Sequence, residues 1–141
     1  MDYSYVVTPF IAWFIAGVSK FIINSFKAKQ WAFGAIGYGG LPSNHSSIVS
    51  GMVVLIGLKE GFNSAGFGVA ITLAFIVILD AHSLRREVGK QAQLINQLLA
   101  EKGDPTRLRE RMGHTLVEII AGIITGGVAA YCINYFSKIS W

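Results

Sequence analysis

Two histidine segments carry the residue types that could hold and attack a phosphate group. Residues 42–45 (PSNH) follow two glycines, so a turn leads directly into a helix whose first N–H groups are free to bind an anion. His114 lies four residues before Glu118, a spacing that puts both on one helix face. A carboxylate that accepts one ring N–H leaves the opposite nitrogen available as base or nucleophile. Taken alone, the first pattern also fits a capped helix and the second a helix-stabilising pair.

Two pairs of cations could neutralise such an anion. Lys20 and Lys27 are seven residues apart, so they share roughly one face of the first apolar segment. Arg85 and Arg86 follow Asp80 at the end of a later apolar segment, and the planar guanidinium group suits phosphate oxygens. The alternatives are lysines that extend to lipid headgroups and an interfacial acid neutralised by its neighbouring arginine.

The composition indicates that these residues are positioned by a membrane protein. Hydrophobic residues make up 52% of the chain and charged residues 14%, with a mean hydropathy of +0.51, which is outside the usual range for a soluble domain. The 141 residues are expected to form a single domain, residues 1–141. The net charge of +4 comes from basic residues that border apolar segments, which favours anionic lipid headgroups over nucleic acid as partners.

The hydropathy pattern predicts an all-α, polytopic helical membrane bundle. About four membrane-embedded helices are expected near residues 5–26, 46–58, 67–79 and 116–136. The second and third are short for full spans, so a re-entrant pair is an alternative. Between the third and the fourth, apolar residues recur at helical spacing and predict an amphipathic surface helix that ends near Gly103.

The distribution of Lys and Arg predicts the orientation. With four crossings, ten of the 12 basic residues fall on the side that also holds all three histidines. The positive-inside rule then puts the loops at residues 27–44 and 83–113 in the cytoplasm and both termini outside. The membrane would be the inner or plasma membrane. The GIITG run at residues 122–126 favours close helix packing, within the chain or in a homodimer.

Together, residues 20 to 122 resemble the type 2 phosphatidic acid phosphatase and vanadium haloperoxidase superfamily, specifically its small divergent membrane branch. The first superfamily motif is Lys, six residues, then Arg-Pro. Here Lys20 is followed by Lys27 and Ala28, so Lys replaces Arg and the Pro is missing. The second motif, Pro-Ser-Gly-His, is the most specific match: Ser43 and His45 are in register, and Asn44 replaces Gly.

The third superfamily motif is matched only in its second half. That half is His, three residues, then Asp, and it is matched by His114 and Glu118. The first half would need an Arg six residues before the histidine, where this chain has Leu108. The run DAHSLRREVGKQA looks characteristic of the divergent branch, so Arg85 or Arg86 is expected to take over the missing role.

The resemblance implies a mechanism and a site. His114 would attack phosphorus to give a phosphohistidine, Glu118 would orient it, and His45 would protonate the leaving group and later activate water. The remaining expected site residues bind the phosphate oxygens: Lys20, Lys27, Ser43, Asn44, Arg85 and Arg86, with Asp80 as an accessory residue.

The expected activity is therefore an integral membrane lipid phosphatase. Its substrate would be a phosphomonoester or diphosphate of the phosphatidate, phosphatidylglycerophosphate or polyprenyl diphosphate class. That scheme needs no cofactor and no metal, although Asp80, His82 and Asp104 could hold a divalent ion if their loops converge. The alternative is a non-catalytic anion- or lipid-binding membrane protein or a small transporter that uses the same cationic pocket.

Overall fold

The computed structural model describes residues 2–29, 31 and 40–139, and all regular structure within them is helical. The helices are α1 (Ser4–Ala28), α2 (Asn44–Glu60), α3 (Ala65–Leu79), α4 (Arg85–Glu101) and α5 (Leu116–Ile139). A five-residue π-helical segment, Asp80–Leu84, joins α3 to α4 and is called the π segment below. The predicted all-α fold is confirmed.

Three helices are long and apolar enough to cross a bilayer. They are Ser4–Ala28, Leu116–Ile139 and the continuous helix Ala65–Glu101. Their exposed side chains include large apolar ones such as Phe10, Phe75 and Ile124, which water would solvate poorly. The chain is thus an integral membrane protein, as the composition predicted. Helix α2, with 17 residues, is shorter and packs against α1, α3 and α5.

The helices pack through small residues that recur at every fourth position. With large side chains directed to lipid, close approach of the backbones supplies the packing energy between membrane helices. The buried positions with this spacing are Ser4, Thr8, Ala12, Ala16 and Lys20 on α1, Ser47, Gly51 and Leu55 on α2, and Gly122, Gly126, Ala130 and Asn134 on α5. The row on α1 thus carries Lys20 to one end of the bundle.

Helices α2 and α5 approach most closely at the GIITG run. A methyl group on Gly122 would lie 2.5 Å from the Ser43 carbonyl oxygen, and one on Gly126 would overlap the carbonyl oxygen of Ser47. The Ser47 hydroxyl also donates to the Gly122 carbonyl at 2.9 Å. The two glycines thus pack inside the chain's own bundle.

The end of the bundle opposite the histidines is closed by an ion pair. Asp2, just before α1, accepts hydrogen bonds from the Lys59 ammonium at the end of α2 and from the Ser4 N–H. The hydrogen bond from Lys59, and to a smaller extent that from Ser4, holds the pKa of the Asp2 carboxyl well below its ordinary value. The start of α1 and the end of α2 therefore lie at the same end of the molecule.

The third apolar helix and the amphipathic helix are continuous, where the sequence predicted two separate elements. The joined helix has 37 residues, about 56 Å of length, and exceeds the roughly 30 Å of a hydrocarbon core. Its end agrees with the prediction, because α4 stops at Glu101 and Gly103 takes a positive φ of 72°.

After α4 the chain turns back and runs along that helix to α5; residues 104–113 are called the return segment. The Asn96 side chain binds both main-chain groups of Leu108, donating to its carbonyl at 2.9 Å and accepting from its N–H at 2.8 Å. Farther along, Gly89 allows the Glu110 carbonyl to lie directly against the helix. The return segment thereby delivers residue 114 to the π segment.

Candidate active site

The structure brings His45 and His114 together from opposite halves of the chain. His45 is the second residue of α2, and His114 lies two residues before α5. Their ring centroids are 6.4 Å apart with the planes inclined at 55°. The His114 side chain is only 9% exposed. That separation is short enough for one tetrahedral group to touch both imidazoles.

The start of α2 is fixed directly onto the first turn of α5. The Ser43 N–H donates to the Glu118 carbonyl at 2.9 Å. The Ser43 hydroxyl is fully buried and caps α2, accepting from the Ser46 N–H at 3.4 Å and the Ser46 hydroxyl at 3.1 Å. Ser43, expected on phosphate, is thus occupied by capping, and it holds His45 at the site.

Glu118 orients the His114 ring and also caps α5. Its Oε2 accepts from His114 Nδ1 at 3.0 Å and from the Thr115 N–H at 3.1 Å, while the Thr115 hydroxyl accepts from the Glu118 N–H at 3.3 Å. This reciprocal pair is a capping box. The predicted contact between His114 and Glu118 forms, but the two residues do not share a helix face as their spacing suggested. His114 precedes α5, and Glu118 reaches back to it from the first turn.

The hydrogen bond to Glu118 fixes the His114 tautomer. A carboxylate only accepts, so Nδ1 carries the proton and Nε2 of the neutral ring keeps its lone pair. A histidine held in this way can act as a nucleophile or general base through Nε2. The geometry thus supplies an oriented imidazole beside a second one.

The two lysines of α1 have different surroundings. Lys20 is buried, at 9% exposure, and its ammonium interacts electrostatically with Glu118 and His45. Lys27 is exposed in the last turn, about 10 Å farther along the axis. Only Lys20 lies within the histidine cluster; Lys27 is not brought together with it.

The two arginines also differ. Arg85 donates to Asp80 at 2.8 Å, and both groups interact electrostatically with His45. Arg86 is exposed, and its Cγ lies against Gly113 of the return segment. Arg85 and Asp80 therefore border the site, whereas Arg86 packs outside it. Of the two arginines expected to replace the missing motif residue, Arg85 is the one that lies beside the site.

Asn44, at the first position of α2, adds polar groups at the same place. Its Oδ1 is buried and has no hydrogen-bond partner among the described residues. Gly40, in the preceding turn, has a φ of 138° and lies against Asn24 of α1. Residues 30 and 32–39, including Gly39 and half of the loop assigned to the cytoplasm, lie outside the described residues.

Within residues 2–29, 31 and 40–139, no three His, Cys, Asp or Glu side chains are grouped so as to hold a metal ion. The alternative of a divalent-ion site formed by Asp80, His82 and Asp104 is thus not found among the described residues. Asp104 instead begins the return segment, where its side chain accepts from the Thr106 N–H at 2.8 Å. That hydrogen bond lowers the pKa of the exposed Asp104 carboxyl.

Three contributors to the site were missed by the sequence reasoning. His82 Nδ1 and the Ala81 carbonyl bind the main chain of His114, and Thr115 completes the capping box. The T-x-x-E pattern of residues 115–118 was a readable signal for the cap. No residue pattern predicts the π segment.

Comparisons with known proteins identify the family of the chain. The model of the Divergent PAP2 family matches residues 1–129. An uncharacterized membrane protein of Bacillus subtilis (strain 168), YuiD, is 32% identical over 114 residues, covering 70% of this chain and 72% of the relative. No solved structure matches the chain. The family match spans both histidine segments and the π segment, and the chain belongs to the divergent PAP2 family.

Proposed function

We propose that this protein is a lipid phosphatase that cleaves a phosphomonoester or diphosphate through a phosphohistidine. The observation that carries the proposal is the approach of His45 to His114, whose Nδ1 is bound by Glu118. An oriented imidazole with a free Nε2, next to a second imidazole, is the equipment that two-step phosphoryl transfer requires. Family membership supports the same chemistry at a coarser level.

In the first step, Nε2 of His114 attacks the terminal phosphorus and the bond from phosphorus to the bridging oxygen breaks. Protonated His45 gives its proton to the departing oxygen, so a phosphomonoester releases its alcohol and a diphosphate releases a lipid monophosphate. In the second step, neutral His45 takes a proton from water, and the resulting hydroxide displaces His114 to release inorganic phosphate. The Glu118 carboxylate stabilises the positive charge on His114 in the first step and holds its ring in place.

Charge stabilisation comes from groups around the two rings. Lys20 and Arg85 are the cations that interact with His45, and the first N–H groups of α2 point partial positive charge toward the same place. Asn44, the first residue of α2, would donate through the Nδ2 group of its side-chain amide. Phosphoryl transfer depends mainly on such positioning and electrostatic stabilisation.

The substrate is proposed to be a membrane lipid because the site lies at one end of the bundle, next to apolar surface. Large apolar side chains on α1, α3 and α5 face outward, so the tails of a lipid can stay in the hydrocarbon while its headgroup reaches the histidines. The excess of Lys and Arg at this end supports a cytoplasmic site in the inner or plasma membrane, with both termini outside. Phosphatidate, phosphatidylglycerophosphate and polyprenyl diphosphates all fit this description.

The test is release of inorganic phosphate from these lipid phosphates by the purified protein in detergent. We expect turnover by the native chain, inhibition by vanadate, and loss of turnover with retained lipid binding in His114→Asn. Binding without phosphate release by the native chain would overturn the proposal in favour of a non-catalytic lipid or anion binder. Release that is unaffected by replacing both His45 and His114 would exclude this mechanism.

A further inference from the structure

The main chain of His114 is held from outside its own helix. His114 precedes the capping box, so neither its N–H nor its carbonyl belongs to the hydrogen-bond ladder of α5. Both groups bind the π segment instead. The His114 N–H donates to the Ala81 carbonyl at 2.9 Å, and its carbonyl lies 3.2 Å from Nδ1 of His82.

The π segment makes this contact available. In a regular α-helix the N–H of Arg85 would bind the carbonyl of Ala81, four residues back; here it binds that of Asp80, five residues back. The Ala81 carbonyl is thereby released for His114, and Ala81 itself is only 1% exposed. Gly113, with a φ of 82°, lets the chain pass against Arg86 just before this point.

The contact defines the protonation of His82. A carbonyl only accepts hydrogen bonds, so Nδ1 of His82 must carry a proton. The neutral ring has one N–H, and its Nε2 is then unprotonated. His82 acts on the main chain of His114, whereas Glu118 acts on the ring of the same residue. His82 and Glu118 together fix the position of the His114 main chain and the orientation of its ring.

We propose that His82 is a positioning residue for His114, setting the separation of the two site imidazoles through the main chain of residue 114. This inference rests on the proposed function, because it assigns His82 to the same reaction. A displacement of about 1 Å in a reacting group can cost on the order of a hundredfold in rate. One hydrogen bond to the backbone of a nucleophile is enough to control such a displacement.

The kinetic test compares His82→Leu with His82→Asn. Leucine removes the donor, whereas the amide nitrogen of asparagine can replace Nδ1. We expect His82→Leu to lower kcat by about ten- to a hundredfold with little change in KM, and His82→Asn to recover most of the loss. Unchanged kcat in His82→Leu, or equal losses in both variants that parallel a loss of folded protein, would overturn the assignment.

A second measurement does not depend on activity. The chain has three histidines, so nitrogen NMR of ¹⁵N-histidine-labelled protein in micelles gives few signals, and His82 is identified by the signal missing from His82→Asn. We expect neutral His82 with the proton on Nδ1; a proton on Nε2 would overturn the inference even in an active enzyme. Absence of phosphate release by the native chain, with Nδ1 protonated, would instead overturn the proposed function and leave the main-chain contact intact.

Discussion

Lys20 and Lys27 carry the same charge on the same helix, but only Lys20 is buried beside the histidines. Replacing it with Met removes a cation from the proposed transition state, and we expect Lys20→Met to lower kcat by about a hundredfold. Lys27→Met is the matched control, because the exposed ammonium should change kcat within about threefold. Phosphate-release kinetics measure both. Equal losses in the two variants would contradict the assignment of Lys20 to the site.

Glu118 combines two functions that substitution can separate. Glu118→Gln keeps an acceptor for the capping box but removes the charge that stabilises His114, so we expect a loss of about a hundredfold or more in kcat with nearly native stability. Thr115→Ala removes the cap alone and should cost about 1 kcal/mol of stability with a much smaller loss of kcat. Thermal unfolding in detergent and steady-state kinetics measure the two effects. The reverse pattern would mean that Glu118 is only a cap.

For individual residues, the sequence predicted the contacting pairs better than it predicted the geometry of their contacts. The pairing of His114 with Glu118 followed from their spacing, yet the contact forms by a reach back from the first turn of α5. Ser43 was expected to face a ligand because capping serines and anion-binding serines have the same local pattern. Packing against α5 decides between these roles, and a single sequence does not contain that contact.

Among the helices, the approach of α5 to α2 depends on one glycine of an adjacent pair. A methyl group on Gly126 would overlap the Ser47 carbonyl oxygen, whereas one on Gly127 would meet only Val54 Cγ2 at 3.7 Å. We expect Gly126→Ala to destabilise the protein by about 1–3 kcal/mol through overpacking. Gly127→Ala should leave stability unchanged or raise it, because alanine favours helix. The unfolding temperature of each variant in one detergent gives the comparison, and equal values would contradict the packing described.

The continuity of α3 and α4 was the main feature of the elements that the sequence did not predict. The change from apolar to charged residues near residue 80 suggested a boundary, but a change of solvent does not interrupt backbone hydrogen bonds. Gly89 alone does not interrupt the helix, and the combined turn signal of Gly103, Asp104 and Pro105 first appears where the helix ends. The all-α membrane fold class was predictable because hydropathy determines it directly.

Over the whole molecule, the buried rows of small residues explain why distant histidines meet. Each row runs from the end closed by Asp2 and Lys59 to the end that holds Lys20 and Glu118, so packing the rows in register aligns the polar groups at both ends. The return segment then brings His114 back to the same level. The site is thus a product of helix packing and belongs to no single segment of the chain.

The orientation of the molecule is predicted by its basic residues, ten of which lie on the side of the site. In a Cys132→Ser background, which removes the exposed native thiol, Asn63→Cys lies in the turn between α2 and α3 and Lys102→Cys at the exposed end of α4. We expect a membrane-impermeant maleimide to label Asn63→Cys on intact cells and Lys102→Cys only after the membrane is opened. Both variants should label equally in detergent, which controls for local reactivity. Labelling of Lys102→Cys on intact cells would place the histidines outside the cytoplasm, because the return segment ties α4 to His114, and would require a substrate from the other leaflet.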